Sequence, residues 1–232
     1  MATRILLQLA REAGKRVHIL HVSTDGEMAL IAANRDLATA EATPHHLLLT
    51  APDAYEKLGT RAQMNPPLRD AGECAAIWHA LRQGVVDTIG SDHAPHLLEA
   101  KAKPYPASPS GMPGVQTLVP LMLDAVNAGR LGIERFVDLT SAGPARVYGI
   151  AGKGRIAAGY DADLTLVDLS ARRVIGNDWI ASRCGWTPYD GWPVTGWPVA
   201  TMVRGRTVMR DGAIAAQADG RPVRFLETLA AS

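Results

Sequence analysis

Hydrophobic positions change their spacing several times along this chain, and the changes mark out an ordered series of elements. Ile5, Leu6, Leu9 and Ala10 recur at helical spacing, and Gly14 stops them. Arg16 to Val22 is short and nearly continuously apolar, the pattern of a strand covered on both faces. Thr24 precedes Glu27 by three residues, a capping box that opens a helix reaching about Arg35. Leu37 to Thr43 reads as a second strand, ended by Pro44. A helix over Glu73 to Gln83, stopped by Gly84, precedes a third buried strand from Val85 to Gly90. Strand, helix, strand, helix, strand in this order predicts right-handed crossovers and a parallel sheet.

Beyond His96 the periodicity lapses. Leu97 to Pro113 is rich in Pro, Ser and Ala and reads as a long loop, a length that compact enzymes reserve for binding loops or lids. Helices are expected at Val115 to Ala128 and Ile133 to Thr140. After Gly152 come short β-type runs at Arg155 to Ile156, Ala162 to Leu169, Thr201 to Val203 and Thr207 to Met209. Turn signals at Gly159, Gly205 and Asp211-Gly212 separate them. The pattern therefore predicts an α/β part over 1–150 and a small β-rich domain over 151–232.

Composition narrows the class without naming a function. The chain has 232 residues, 47% hydrophobic and 20% charged, enough for a sizeable core. Lys and Arg number 24 against 23 Asp and Glu, with no block of like charge, so neither a nucleic-acid groove nor a membrane-surface helix is expected. No apolar run approaches the roughly 18 residues a span needs. Cys74 and Cys184 are far apart and form neither a zinc knuckle nor a disulfide framework, so a reducing cytoplasm is the expected setting.

Polar residues concentrate at the downstream ends of the expected strands, where parallel α/β folds build their sites. They are His21-Val22-Ser23, Thr43-Pro44-His45-His46 and Ser91-Asp92-His93-Ala94-Pro95-His96, with Asn65-Pro66-Pro67-Leu68-Arg69 as a further loop. Ser23 and Thr24 read as helix caps. In a strand, His45 and His46 cannot both face one way. Asp92 stands out, because an acid directly after a buried strand is costly unless metal or substrate pairs with it. Imidazole and carboxylate suit zinc, and a carboxylate touching metal and water can move a proton. His21 and Asp92 could be one ligand and that carboxylate, but two ligands do not hold a catalytic zinc.

The chain resembles the dihydroorotases, cyclic amidohydrolases of the amidohydrolase superfamily that also holds hydantoinases and allantoinases. The matching segments are HILHVST, EATPHHLLLT, MNPPLR, DTIGSDHAPH, PSGMPGVQT, TSAGPARVYGI, GKGRIAAGYDADLTLVD and SRCGWTPYDGWPVTGWPV, in family order from about His18 to Val199. The resemblance implies the later part of a distorted (β/α)8 barrel, about three strands in an open arc, followed by a small β domain. It implies His21 and Asp92 as metal ligands, with Asp92 also the general acid and base. Asn65 and His96 match substrate-binding positions, and Ser110 and Gly111 match a loop that reaches substrate through its backbone. His45 and His46 are assigned supporting roles, and the acids of Gly154 to Asp168 are expected in turns. The implied cofactor is zinc, two ions in the complete enzyme, and the implied reaction is N-carbamoyl-L-aspartate to L-dihydroorotate plus water, in pyrimidine synthesis. The expected partners are a small-molecule substrate and further copies of the complete enzyme.

One departure is large. The family's His-x-His pair, its bridging carboxylate or carboxylated lysine, a further histidine and a substrate-binding arginine all precede HVS, and none is found in Met1 to Leu20. The chain therefore reads as truncated, and as inactive by itself.

Overall fold

The structure, a computed structural model, describes residues 2–215 and 220–226. The chain divides into two compact units that each draw on separate stretches. The first holds Met1–Leu118 with Val174–Trp192, the second Val119–Arg173 with Pro193–Ser232. This interleaving differs from the single division near Ile150 expected from the change in pattern, and the end of the expected 151–232 domain lies outside the described residues.

In the first unit α1 (Ala2–Ala13), β1 (Val17–Ile19), α2 (Asp25–Ala32) and β2 (Ala38–Ala42) follow one another, then α3 (Pro44–Leu48), α4 (Asp53–Leu58), α5 (Ala71–Arg82), β3 (Thr88–Ile89) and α6 (Leu98–Lys101). The three strands form a parallel sheet in the order β1-β2-β3, with Val17 opposite Ala38 and Glu41 opposite Thr88. Alternation decides its two faces. Ala38, Ala40 and Ala42 are fully buried, as is Val86, and the helices supply Ile31, Ile77 and Leu81, each also at 0% exposure. Small strand residues let the helices approach closely. The opposite face is polar. His18 Nδ1 lies 2.8 Å from the Thr39 hydroxyl and its Nε2 3.3 Å from that of Thr88, so one ring spans all three strands. Burial holds the His18 pKa below the usual imidazole value, against the pull of Asp87. The run expected to be a strand covered on both faces is a short strand, Val17–Ile19, with His18 on its polar face.

Caps fix the helices. Thr24 Oγ1 accepts from Glu27 N in α2, and Asp70 accepts from Glu73 N in α5. In α1 the buried face is Thr3, Leu7 and Ala10, whereas Ile5 and Leu9 are 51% and 55% exposed. The apolar period that predicts α1 is therefore real, but of its stripe only Ala10 is covered.

Three further expectations are corrected, and two elements lie where none is expected. Pro44 opens a helical turn instead of merely ending a strand, so His45 and His46 sit on α3. Pro at the first helical position costs no hydrogen bond, and Thr43 caps it by accepting from His46 N. The 97–113 segment is not all loop, since α6 lies within it. Helix α4 and the 3-10 turn Gly59–Ala62 were not anticipated, and Arg155 to Ile156 forms no strand.

The second unit contains most of α7 (Leu118–Asn127), then α8 (Ile133–Val137), a π-helical turn at Asp138–Ala142 and α9 (Gly143–Val147). Strands β4 (Leu164–Ile175), β5 (Trp192–Val203), β6 (Arg206–Arg210) and β7 (Ala213–Ile214) follow, adjacent in that order. Both long strands exceed the runs expected from sequence, because Pro193 and Pro198 hide the continuity of β5. Of the acids expected in turns, Asp161 and Asp163 lie outside the strands, whereas Asp168 is within β4. Lys153 bridges Asp161 at 2.9 Å and also pairs with Asp163, while Asp168 accepts from the Ser170 and Ala171 amides.

Candidate functional site

His21 and Asp92 follow β1 and β3, and both hold left-handed backbone, at φ 38° and 43°. Neither residue gains from that conformation unless the surroundings require it, and such strain concentrates at functional positions. The His21 amide donates to Glu41 Oε1 at 3.3 Å, and the side-chain Nδ1 of His21 is buried with no protein partner. Glu41 is the last acid of β2 and is half-buried. Burial raises its pKa above the usual carboxylate value; the His21 bond and charge oppose the rise, and Asp92 adds to it. Gly90 makes room for this carboxylate. A Cβ there would stand 2.3 Å from Glu41 Cδ and Oε2. Sequence reasoning passed over Glu41, although it opens the segment EATPHH and alternates with the buried alanines of β2.

A second group gathers around Ser110. Asn65 Nδ2 donates to the Ser110 hydroxyl at 3.1 Å, and His96 Nε2 lies 3.0 Å from the Ser110 carbonyl. A carbonyl only accepts, so His96 carries its proton on Nε2. Gly111 is buried at φ 119°, with Ala94 so close that a Cβ would lie 2.4 Å from the Ala94 methyl. That contact and that backbone explain the glycine. The Ala94 amide donates to the Met112 carbonyl at 3.0 Å, tying the two loops. The His96 carbonyl accepts from Trp186 Nε1 at 2.8 Å. Two backbone groups of the 110–111 pair are occupied within the protein: Ser110 O by His96, and Gly111 N by Gln63 O at 2.9 Å. A cavity of about 750 Å³ opens beside them, lined by Tyr55, Gln63, Met64, Asn65, Tyr105 and Ser110 among others.

His46 lies in the field of the first group and is bonded beside the second. Its Nε2 donates to the Pro66 carbonyl at 2.9 Å, next to Asn65, and its Nδ1 lies 2.9 Å from the Thr43 hydroxyl. Burial is the main cause of its lowered pKa, with His21 lowering it further and Asp92 raising it. His45 points elsewhere. It is fully buried, its Nδ1 lies 2.8 Å from Tyr189 Oη, and burial drives its pKa to about 3. It is a neutral imidazole. His93, beside Asp92, accepts at Nδ1 from the Gly114 amide at 3.1 Å, and Arg69 Nε donates to Ser23 Oγ at 3.3 Å.

The six residues singled out from sequence thus fall into two places. Asn65, His96, Ser110 and Gly111 meet directly, and His21 and Asp92 both lie in the field of Glu41 and His46. The chemistry of His21 and Asp92 fits a divalent metal, and the orphaned Nδ1 is a donor in search of a partner. The set is short, however: among the described residues no three His, Cys, Asp or Glu side chains are grouped as a metal site.

Residues 6–208 match the amidohydrolase family, and this chain belongs to it. It is 46% identical over 218 residues to a dihydroorotase of Halobacterium salinarum, covering 94% of this chain and 50% of that protein. It is 38% identical to a dihydroorotase of Methanosarcina mazei, over 97% of this chain and 51% of the relative. An L-hydantoinase (dihydropyrimidinase) from Arthrobacter aurescens superposes with a TM-score of 0.89 at 37% identity, covering 93% of this chain and 49% of the other. The chain therefore spans about half the length of the relatives it matches. The resemblance to dihydroorotases, read from eight motifs, is borne out by these identities.

Proposed function

We propose that this chain is the Asp92-bearing part of a dihydroorotase-type enzyme that closes N-carbamoyl-L-aspartate to L-dihydroorotate and reopens it. The observation that carries the reading is the presence of two groups on the loops after the parallel strands: a strained His21 and Asp92 in the field of Glu41, and the Asn65–Ser110–His96 cluster. In hydrolysis, water adds to the ring amide carbonyl, the C–N bond breaks and the nitrogen takes a proton. Asp92 accepts the proton from the water and returns it to the leaving nitrogen. His96 and Asn65 hold the substrate's polar groups, and each must exchange its present bond to Ser110 for one to the ligand. His21 and Asp92 would be two donors to zinc, which supplies Lewis acidity toward an amide carbonyl. Family members are generally metal-dependent. The remaining ligands would come from a longer form carrying the family's His-x-His segment, and association of complete copies belongs to the same reading. A small-molecule substrate in the cytoplasm, with neither nucleic acid nor membrane as partner, completes it; no helix among the described residues is long and apolar enough to cross a membrane.

The solved hydantoinases favour one alternative, a hydrolase of a different cyclic amide. Turnover of dihydroorotate, hydantoin and dihydrouracil by the longer form separates the two, and a preference for hydantoin would overturn the first. The 232-residue chain with added zinc is expected to turn over none of them, because two donors fall short of the three a catalytic zinc needs.

A further inference from the structure

Lys101 is fully buried, yet among the described residues no carboxylate is paired with it. Its Nζ donates to two backbone carbonyls, Gln63 O at 3.0 Å and Pro109 O at 2.8 Å. Burial of an ammonium is expensive, and two carbonyl dipoles offset only part of that cost. An ordinary core position of this kind would carry Leu or Met, so the charge needs a reason. Both acceptors lie at the edge of the Ser110 cluster. Gln63 O also accepts from the Gly111 amide at 2.9 Å, so the ammonium and Gly111 share one carbonyl. The Gln63 side chain donates to Ser108 O at 2.9 Å, and Asn65 stands two residues further on. The Lys101 carbonyl in turn accepts from the Thr60 and Ser108 hydroxyls. Apart from the Asn65–Ser110 hydrogen bond, the hydrogen bonds described between the 59–65 and 108–111 segments thus pass through Lys101 or Gln63.

We infer that Lys101 is a positioning residue, which clamps the 108–111 loop onto the Gln63 backbone and so sets the distance between Asn65 and the His96–Ser110 pair. It touches no substrate. The inference rests on the proposed role of that cluster for its link to catalysis, but not for its structural content. Burial also lowers the ammonium's pKa to about 8, as expected for a charge held without a counter-ion.

Hydrogen exchange of the chain tests the clamp without any assay of activity. In Lys101→Met, the Gly111 amide should exchange at least about tenfold faster, since its acceptor is no longer fixed. Lys103→Met, exposed on the same segment, should match the wild type. If Lys101→Met does not fold, Lys101→Gln, which keeps a shorter, uncharged N–H donor group, should show an intermediate rate. In the longer form, Lys101→Met should raise KM for dihydroorotate about tenfold with kcat within about threefold, a split that general destabilisation does not produce. Gly111 exchange within twofold of wild type in whichever variant folds would overturn the inference. Accelerated exchange with no turnover by the unmutated longer form would keep the clamp and reject the proposed function.

Discussion

Gly90→Ala isolates one interaction at the heart of the candidate site. The added Cβ would lie 2.3 Å from Glu41 Cδ and Oε2 and 2.5 Å from Oε1. All three distances are about an ångström below van der Waals contact, so something must move. The φ of Gly90 is not in the left-handed region, so alanine meets no backbone penalty and the cost is steric. Glu41 cannot swing freely, because its Oε1 accepts from the His21 amide and its carboxylate is half-buried. Overpacking of this kind costs about 1–3 kcal/mol. Loss of a hydrogen bond to a charged group is worth a similar amount, about 1.5–3 kcal/mol. The two overlap, since displacing the carboxylate is how the clash is relieved, so about 2–3 kcal/mol is expected for both. For a chain of this size that corresponds to a fall of roughly 4–12 °C in melting temperature. Urea unfolding of wild type, Gly90→Ala, Glu41→Ala and the double variant measures it as a cycle. Removing Glu41 first should make Gly90→Ala nearly neutral. A single Gly90→Ala cost below about 0.5 kcal/mol, or no coupling between the two sites, would refute the claim that Gly90 exists to admit the Glu41 carboxylate.

Three other outcomes follow from the same geometry. In a longer, active form, Asp92→Asn should lower turnover by about a thousand-fold or more with little change in fold, and activity within about tenfold of wild type would remove Asp92 from the mechanism. His21→Ala should lose zinc, whereas His96→Ala should keep zinc and weaken substrate binding; metal analysis showing equal loss would overturn that division. His45, with its pKa held near 3 by burial, binds no proton in the folded chain until far below the usual imidazole value of 6.5. The unfolded chain takes one up as pH falls through 6.5, so His45 contributes stability that is complete above 6.5 and drains away between 6.5 and about 3. Replacing it by Gln should flatten the dependence of unfolding free energy on pH in that window, and an unchanged slope would show that another group titrates there.

Much of the first unit was legible because its signals are local. The Thr24 cap opens α2 and the Gly84 stop ends α5 where pattern reading puts them, although α2 ends at Ala32, short of the expected Arg35, and α5 starts at Ala71, before the expected Glu73. Parallel pairing followed from element order alone. What escaped depends on contacts far apart in sequence. Nothing local marks Lys101 as buried, since its neighbours Ala102 and Lys103 are exposed. Glu41 lies 49 residues from Gly90, and only the fold brings glycine and carboxylate together. The His45-His46 pair was misread because a proline after a strand signals both a stop and a helical start, and Thr43 as cap was the deciding clue. The mostly uncovered stripe of α1 shows the opposite failure: periodicity predicts a helix, but it does not say what lies against its apolar face.

The two faces of the parallel sheet bear on where the chemistry belongs. A sheet whose one face is covered by Ile31, Ile77 and Leu81 could bury its other face equally well with apolar residues. Instead that face presents His18, Thr39 and Thr88, joined by hydrogen bonds, and then Glu41 in register with Thr88. Polar groups at this depth persist only where they are satisfied or used. His18, Thr39 and Thr88 satisfy one another. Glu41 is satisfied in part, by one backbone amide of His21, and the His21 ring is left with a buried, partnerless nitrogen. The unsatisfied end of the row is therefore its downstream end, where Asp92 also turns back at positive φ. Strand β1, which carries His18 and leads into His21, is at the edge of the three-stranded sheet, and Leu20 just beyond it is 49% exposed. The residues with unfilled valence and the strand with an unpaired edge are the same stretch of chain. A parallel neighbour beside β1, bearing imidazole or carboxylate at its own downstream end, would answer both deficits at once.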